Sequence, residues 1–249
     1  MLEQMQIVLV KTRFPENIGM AARACANMGC RQLVLVAPEW WDKEKAYPLA
    51  TAKGQPLLES LRVVETLEEA LADSVLAIGT TARTGGWRRE IASPEGMAHE
   101  LAPLLAGGEK ISLVFGPEDR GLLNQEIELC QRMVTIPTVD ASSLNVAQSV
   151  LILLYEFSKT VRQYEKEARQ RATPAVIPAT EKRINTGEQE RLSQSIKELL
   201  LDIGFLHGEN SDYFFMPWRR FLGRAALRRH EYDALMGVCR QIKHKLSLK

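Results

Sequence analysis

Residues 113–123 of the chain read LVFGPEDRGLL, a run typical of a buried strand that leads into a turn bounded by Gly116 and Gly121. The spacing of the two glycines is that of the start of a phosphate-binding P-loop. Leu122 and Leu123, however, stand where that loop needs Lys and then Ser or Thr. The turn is therefore not a Walker loop, and its glycines, acids and arginine at the end of a core strand indicate another kind of binding site.

Comparable apolar runs recur along the first two thirds of the chain. They are QIVLV (6–10), QLVLVA (32–37), SVLAIGT (74–80), ISLVFG (111–116) and MVTIP (133–137). Helical stretches separate them, and this alternation predicts an α/β domain with a mainly parallel sheet covered on both faces. Residues 143–169 then predict one long helix, apolar in its first half and charged in its second.

Three of these runs end in loops with unusual chemistry, namely GTTAR (79–83), GPEDRG (116–121) and IPTVDASSLN (136–145). Ligands of open α/β sheets bind at the carboxyl ends of the strands. Each loop alone is compatible with an ordinary turn, whereas the three together favour a nucleotide-like ligand. The chain contains no G-x-G-x-x-G, so neither a dinucleotide site of that type nor the common glycine-rich methyltransferase loop is supported.

Composition excludes several classes of protein. Of 249 residues, 45% are hydrophobic and 25% are charged, as in ordinary globular proteins. The four cysteines form no C-x-x-C pair and the four histidines have no zinc-site spacing, so we expect no metal site. The first residues, MLEQMQIVLVKTRF, have neither a basic n-region nor an apolar run long enough for a signal peptide or membrane span. We therefore expect a cytoplasmic protein that does not enter membranes.

Charge divides the chain into an acidic part and a basic part. Residues 1–168 carry 17 Lys and Arg against 22 Asp and Glu, and the remainder carries 15 against 9. A stretch with two prolines and no aromatic residue predicts a linker at 169–187, between the α/β domain (1–168) and a small, basic, all-helical domain (188–249). Nine Lys and Arg against two acids from Arg219 onward favour an RNA-binding surface over a merely solvated face.

The stretch NIGMAARACANMG (17–29) predicts a helix that begins with Asn17 as its N-cap. Arg23 lies among alanines and so has little bulk beside it. Two interpretations of this arginine remain open: contact with a partner or phosphate, and an ordinary solvated charge on a packed helix.

Three motifs resemble those of a known family. NIGMAARA, LVFGPEDRGL and IPTVDASSLNVAQSV, in this order, closely resemble the motifs of the SPOUT-class RNA ribose 2′-O-methyltransferases. The tail LLLDIGFLHGENSDYFFMPWRRFLGRAAL resembles the extension of the bacterial branch that methylates the first nucleotide of the tRNA anticodon loop. The resemblance implies a sheet with a carboxyl-terminal trefoil knot, S-adenosylmethionine as cofactor, tRNA as substrate and a homodimer.

The resemblance also implies roles for individual residues. The catalytic set is Arg23, Asn17, Glu118, Ser143 and Asn145. The cofactor set is Thr80, Thr81, Ala82, Gly116, Ile136, Ser142, Ser143 and Leu144, with the motif serine either Ser142 or Ser143. The loop 83–90 matches no motif of the family, and its Arg88 and Arg89 either contact RNA, which we favour, or cap a turn. From the basic charge of the tail we expect Arg219, Arg220 and Arg224 to contact RNA. The apolar half of the long helix is expected to cover a partner subunit, through Val146, Val150, Leu151 and Leu154, or to be buried in its own core.

The chemistry suits these residue types. Methyl transfer to a ribose 2′-oxygen requires the two reacting atoms to be oriented and the hydroxyl to be made more nucleophilic. Arginine stays protonated in proteins, so we expect Arg23 to grip the adjacent phosphate and stabilise negative charge rather than act as a base. Two alternatives remain: a 2′-O-methyltransferase of ribosomal RNA, and a non-catalytic RNA-binding protein with a relict nucleotide site.

Overall fold

A computed structural model describes residues 2–82, 91–139, 143–171, 182–207 and 210–247. The chain divides into two compact units, Met1–Thr173 and Pro174–Lys249. No helix of the described residues is long and apolar enough to cross a membrane.

The first unit is built on a sheet of seven strands. They are β1 (Met5–Val10), β2 (Gln32–Val36), β3 (Arg62–Val64), β4 (Leu76–Thr80), β5 (Ile91–Ala92), β6 (Ile111–Phe115) and β7 (Arg132–Val134). Their order is β3-β2-β1-β6-β4-β7-β5, and every pairing among the described residues is parallel. The central strands β1 and β6 are buried along their whole length, which explains their continuous apolar sequence.

Helices cover both faces of this sheet. They are α1 (Pro15–Met28), α2 (Lys43–Glu59), α3 (Leu67–Leu71), α4 (Pro94–Ala106), α5 (Asn124–Glu128) and α6 (Val146–Arg171). Alternate strand residues form two cores: Ile7 and Leu113 pack with α1, α2, α4 and α6, whereas Val8 and Val114 pack with α3 and α5. The cores alternate because successive side chains of a β-strand point to opposite faces of the sheet.

The start of α1 differs from the prediction. The helix begins at Pro15, where a missing N–H costs nothing and φ is already helical, and Phe14 is its N-cap residue. Asn17 is therefore not the N-cap. It lies in the first turn, buried, with its side chain turned to other partners.

The dimer residues predicted on α6 are mostly core residues. Val146, Val150 and Leu154 are buried in the first unit's own core, because α6 packs between α1 and α4 over the sheet. Leu151 alone of the four is exposed, and the side chains that point outward beside it are Ile152 and Tyr155.

The second unit consists of α7 (Thr186–Asp202), α8 (Ser211–Ala225) and α9 (Arg229–Ser247). Its buried side chains include Leu192 and Leu199 of α7, Phe215 and Leu222 of α8, and Cys239 of α9. Both ends of the segment predicted as a linker, 169–187, lie in ordered structure: α6 continues through Arg171, and the backbone N–H of Ile184 already bonds to Leu227 O. The described residues confirm the predicted α/β domain with a mainly parallel sheet and the helical carboxyl-terminal part, whereas the trefoil knot stays a prediction.

Candidate active site at the carboxyl edge of the sheet

A cavity of about 270 Å³ lies where three neighbouring strands end. Because β6, β4 and β7 are parallel and adjacent, the loops that follow them meet at one edge of the sheet. Its lining comprises Thr80, Thr81, Ala82, Phe115, the loop Gly116–Leu122, Val134, Ile136, Thr138, Ser143, Leu144, Val146 and Ser149. All described members of the predicted cofactor set are on this wall, and Ser142 lies outside the described residues.

Gly116 is required by the loop itself. A Cβ atom on Gly116 would lie 2.3 Å from the carbonyl carbon of Gly121 and the amide nitrogen of Leu122. The loop closes this tightly because Gly121 has a φ of 68° and donates its N–H to Pro117 O at 2.9 Å. A glycine at position 116 is therefore needed for the loop 116–122 to close and form this wall of the cavity.

A hydrogen-bonded chain joins the three sequence motifs. Asn17 Nδ2 donates to Glu118 Oε1 at 2.7 Å, and Asn145 Nδ2 donates to Asn17 Oδ1 at 2.8 Å. These residues are about 100 and 128 positions apart in sequence, and the fold brings them together at the edge of the cavity. The amide of Asn17, donor at one end and acceptor at the other, fixes both neighbours.

Asn145 also begins α6. Its Oδ1 accepts from the backbone N–H of Ala147 at 2.9 Å and of Gln148 at 3.3 Å, so it satisfies amides that the first helical turn leaves unpaired. One side chain therefore ties the start of the longest helix to the polar chain of the site.

An open cleft adjoins the cavity. It is lined by Phe14, Glu16, Asn17, Glu118, Ser143, Leu144 and Asn145. Glu118, Ser143 and Leu144 line both spaces, so a ligand in the cavity and a ligand in the cleft would meet at these residues. The cavity is the deeper of these two adjoining spaces, and the cleft is the more open to solvent.

Four charged side chains form a ring on the rim of the cavity, which we call the rim ring: Arg13, Glu39, Asp119 and Arg120. Arg13 Nε lies 2.9 Å from Glu39 Oε2, and Arg13 Nη1 lies 3.0 Å from Asp119 Oδ2. Arg120 bridges the same two acids at 3.4 and 3.6 Å. The ring clamps the loop after β6 to the loops after β1 and β2. Sequence reasoning missed it, since only the strand order β2-β1-β6 makes these residues neighbours.

The remaining predicted residues lie elsewhere. Arg23 is exposed on the outer side of α1 and, among the described residues, lines neither the cavity nor the cleft. Arg88 and Arg89 lie outside the described residues. Arg219, Arg220 and Arg224 are on α8 in the second unit, where Arg219 forms a 2.5 Å ion pair with Glu190 of α7.

Comparisons with known proteins agree with this architecture. Residues 4–155 match the model of the SpoU rRNA Methylase family. The chain is 35% identical to the tRNA (cytidine/uridine/adenosine-2′-O-)-methyltransferase TrmJ of Pseudomonas aeruginosa over 96% of its length and 93% of that protein. It is 32% identical to the tRNA (cytidine/uridine-2′-O-)-methyltransferase TrmJ of Klebsiella pneumoniae, over 98% of both chains.

A solved structure is similar along nearly the whole chain. The crystal structure of TrmJ from Z. mobilis superposes with a TM-score of 0.79 at 28% identity, covering 96% of this chain and 98% of that one. The family model spans more than half of the chain, and relatives above 30% identity span almost all of it. The protein therefore belongs to the SpoU rRNA Methylase family.

Proposed function

We propose that the protein transfers a methyl group from S-adenosylmethionine to a ribose 2′-hydroxyl in the anticodon loop of tRNA. The observation that carries this proposal is the junction of the cavity and the cleft at Glu118, Ser143 and Leu144. It provides a deeper space for a methyl donor and a more open one for a large acceptor. Relatives named as tRNA 2′-O-methyltransferases, similar over nearly the full chain, support tRNA as the acceptor.

The residues of the cavity fit the cofactor. Leu122, Val134, Ile136 and Leu144 offer an apolar lining for a flat adenine ring, and the loop 116–121 brings backbone and charged groups to the polar part of the molecule. The hydroxyl hydrogen of Thr80 is donated to Val114 O of β6, so in this bond the hydroxyl ties β4 to β6. S-adenosylmethionine, when bound, supplies a methyl group on a sulfonium centre.

The cleft supplies the groups that orient the acceptor. Ser143 is exposed at the junction and offers a hydroxyl to a ribose, next to the amide of Asn145. Glu118 is held on both oxygens, by Asn17 Nδ2 at 2.7 Å and by the backbone N–H of Arg13 at 3.4 Å. We assign Glu118 to positioning, because both of its carboxylate oxygens accept hydrogen bonds from neighbouring groups of the protein.

A homodimer is part of the proposal. Met20, Leu151, Ile152 and Tyr155 are exposed on α1 and α6, two helices that pack side by side over the sheet. Arg23 stands one turn along α1 from Met20, on the same outward side. We call these five residues the outer face. A second chain that covers the outer face removes its apolar side chains from water, and Arg23 then acts on the cleft of the partner chain.

The second unit is proposed to supply RNA affinity. The chain from residue 169 carries a net charge of +6, against −5 before it. Such an acidic first part repels a polyanion, so the basic part is the better candidate for tracking phosphates. We propose the cytoplasm as the compartment, since the proposed substrate is there and the four cysteines are free thiols.

Incubation with a labelled methyl donor and separated tRNA and ribosomal RNA pools tests the function. We expect label in tRNA alone, at a ribose of the anticodon loop when the modified nucleotide is mapped. Label confined to ribosomal RNA would instead support the alternative that the protein is a 2′-O-methyltransferase of ribosomal RNA. Tight tRNA binding without any label would favour the non-catalytic alternative.

A further inference from the structure

Phe14 is a large aromatic side chain that the structure leaves open to solvent at the site. It is 51% exposed and forms one wall of the cleft, whose other described lining residues are mostly polar or charged. Aromatic side chains normally bury most of their area, because each removes a large apolar surface from water. An exposed ring in a polar cleft therefore indicates a ligand with a flat apolar face and polar edges.

The backbone on both sides of Phe14 is held in place. Arg13 is anchored by the rim ring, and its N–H points to Glu118 Oε2. Pro15 fixes the first helical residue, and the N–H of Asn17 bonds to Phe14 O at 3.0 Å. The ring of Phe14 thus stands on a fixed base beside the chain Glu118–Asn17–Asn145. A pre-positioned platform of this kind loses little conformational freedom when it binds.

We propose that Phe14 stacks on the unpaired base of the nucleotide that is methylated. The inference rests on the proposed function and adds the residue that holds the base. Aromatic rings stack on every base, since each has a π-face, whereas the polar side chains of the cleft suit the hydroxyls of the ribose. Phe14 therefore selects a base that is free of pairing rather than one particular base.

A second copy of the chain is a less suitable occupant of this wall. An apolar side chain from a partner would cover Phe14 but would also remove the partly exposed carboxylates of Glu16 and Glu118 from water without giving them new bonds. A nucleoside covers the ring with its base and offers hydroxyls to the same polar groups.

Three substitutions and two substrates test the inference. Phe14→Ala removes the ring, Phe14→Leu keeps apolar bulk without a π-face, and Phe14→Tyr keeps the ring. Each is assayed on tRNA with its normal target nucleotide and on tRNA in which that nucleotide lacks its base but keeps its 2′-hydroxyl. On normal tRNA we expect kcat/KM to fall about 5- to 150-fold for Ala and Leu, the range of one base stack, and to stay near wild type for Tyr.

The abasic tRNA gives the decisive comparison. If Phe14 acts through the base, wild type and Phe14→Ala methylate abasic tRNA equally slowly. An equal loss for Phe14→Ala on both substrates, or a Phe14→Leu protein with wild-type activity, would overturn the inference. So would a shift to monomer by sedimentation with Phe14→Ala, because the ring would then belong between two copies.

Failure of the proposed function gives a different result. A wild-type protein that labels no tRNA removes the reaction and leaves the stacking claim testable by binding. Anisotropy with a fluorescent anticodon stem-loop, with and without the target base, then compares wild type with Phe14→Ala. A wild-type preference for the intact base that Phe14→Ala lacks supports stacking, and equal binding of both RNAs by both proteins rejects it.

Discussion

At the scale of the residue, Glu118 separates two accounts of the chemistry. Its carboxylate accepts from Asn17 Nδ2, a bond that a glutamine oxygen also accepts. We therefore expect Glu118→Gln to keep kcat within about tenfold of wild type and Glu118→Ala to lose considerably more, since alanine leaves the buried Asn17 amide unpaired. Methyl-transfer rates across pH check this. A general base at this position would instead make Glu118→Gln as inactive as alanine and remove the fall in rate at low pH.

The structure of a single chain does not explain the predicted catalytic role of Arg23, because Arg23 lines neither the cavity nor the cleft among the residues described. We expect Arg23→Ala to fold, to bind S-adenosylmethionine normally and to transfer methyl groups on the order of a hundredfold more slowly, as for loss of a positioned electrostatic group. Calorimetry and single-turnover rates measure the two quantities. Near-normal turnover would support the other interpretation of Arg23, an ordinary solvated charge on the surface of α1.

A mixed dimer tests the direction in which Arg23 acts. Gly116→Val disrupts the wall of the cavity, because a side chain at this position clashes with the backbone of the loop. In a dimer of one Arg23→Ala chain and one Gly116→Val chain, the first chain keeps an intact cavity and the second keeps Arg23. We expect activity to recover in this mixture if Arg23 serves the partner's cleft. Two inactive parents that stay inactive when mixed would mean that Arg23 acts within its own chain.

The site residues that belong to the three sequence motifs could be predicted from the sequence. The contacts that arise only from the order of the strands in the sheet could not. Asn17, Glu118, Ser143 and Asn145 do gather at one site. The role of Asn17 as N-cap was wrong, because Pro15 begins the helix two residues earlier and frees the Asn17 amide for Glu118. The pairing of Arg13 and Glu39 with Asp119 and Arg120 had no sequence signal, since it depends on the strand order β2-β1-β6.

At the scale of the element, Asn145 combines two functions that a single substitution can separate. Asn145→Asp keeps the oxygen that caps α6 but loses the Nδ2 donor to Asn17, whereas Asn145→Ala loses both. We expect Asn145→Ala to lower the free energy of unfolding by about 1 kcal/mol more than Asn145→Asp, and both to slow methyl transfer. Urea unfolding and activity assays provide the comparison. Full activity with Asn145→Asp would show that the bond to Asn17 is dispensable.

The elements that the sequence pattern predicted correctly are the long or buried ones. All five predicted strands exist, whereas the strands β3 and β5, at the two edges of the sheet, are three and two residues long and too short to show a strand period. The helix α6 was predicted, and its apolar half was expected either to cover a partner subunit or to be buried in its own core; Val146, Val150 and Leu154 are buried in the core. Periodicity shows that a face is apolar and not which neighbour covers it, and here α1 and α4 cover most of it.

At the scale of the whole molecule, the outer face predicts the dimer. Two charges placed on it by Ile152→Glu and Tyr155→Glu should dissociate the dimer, because each carboxylate would have to be buried in the interface. Sedimentation at micromolar concentration should show a dimer for wild type and a monomer for the double variant. Tyr164→Glu, further along α6 among charged residues, is the control and should remain dimeric. A wild-type monomer that still methylates tRNA would reject the dimer.

The two units are expected to divide the work, with chemistry in the first and RNA affinity in the second. If the basic unit neutralises several phosphates, the logarithm of the binding constant falls with the logarithm of salt at a slope of about −0.7 to −0.9 per contact. Truncation after Arg171 should flatten this slope while the fragment, which contains its own core and the cavity, still binds S-adenosylmethionine. Anisotropy titrations of tRNA at several salt concentrations measure the slope.

Substitutions on α8 test the same division in the full chain. Arg219 is better left in place, because its ion pair with Glu190 joins α8 to α7 and its loss would mix stability with binding. Arg220→Ala with Arg224→Ala should weaken tRNA binding uniformly and reduce the salt slope, with cofactor affinity unchanged. Arg31→Ala with Lys53→Ala removes the same charge at exposed positions of the first unit that line neither the cavity nor the cleft, and is the matched control. If both pairs weaken binding equally, only net charge matters and α8 is not the RNA surface.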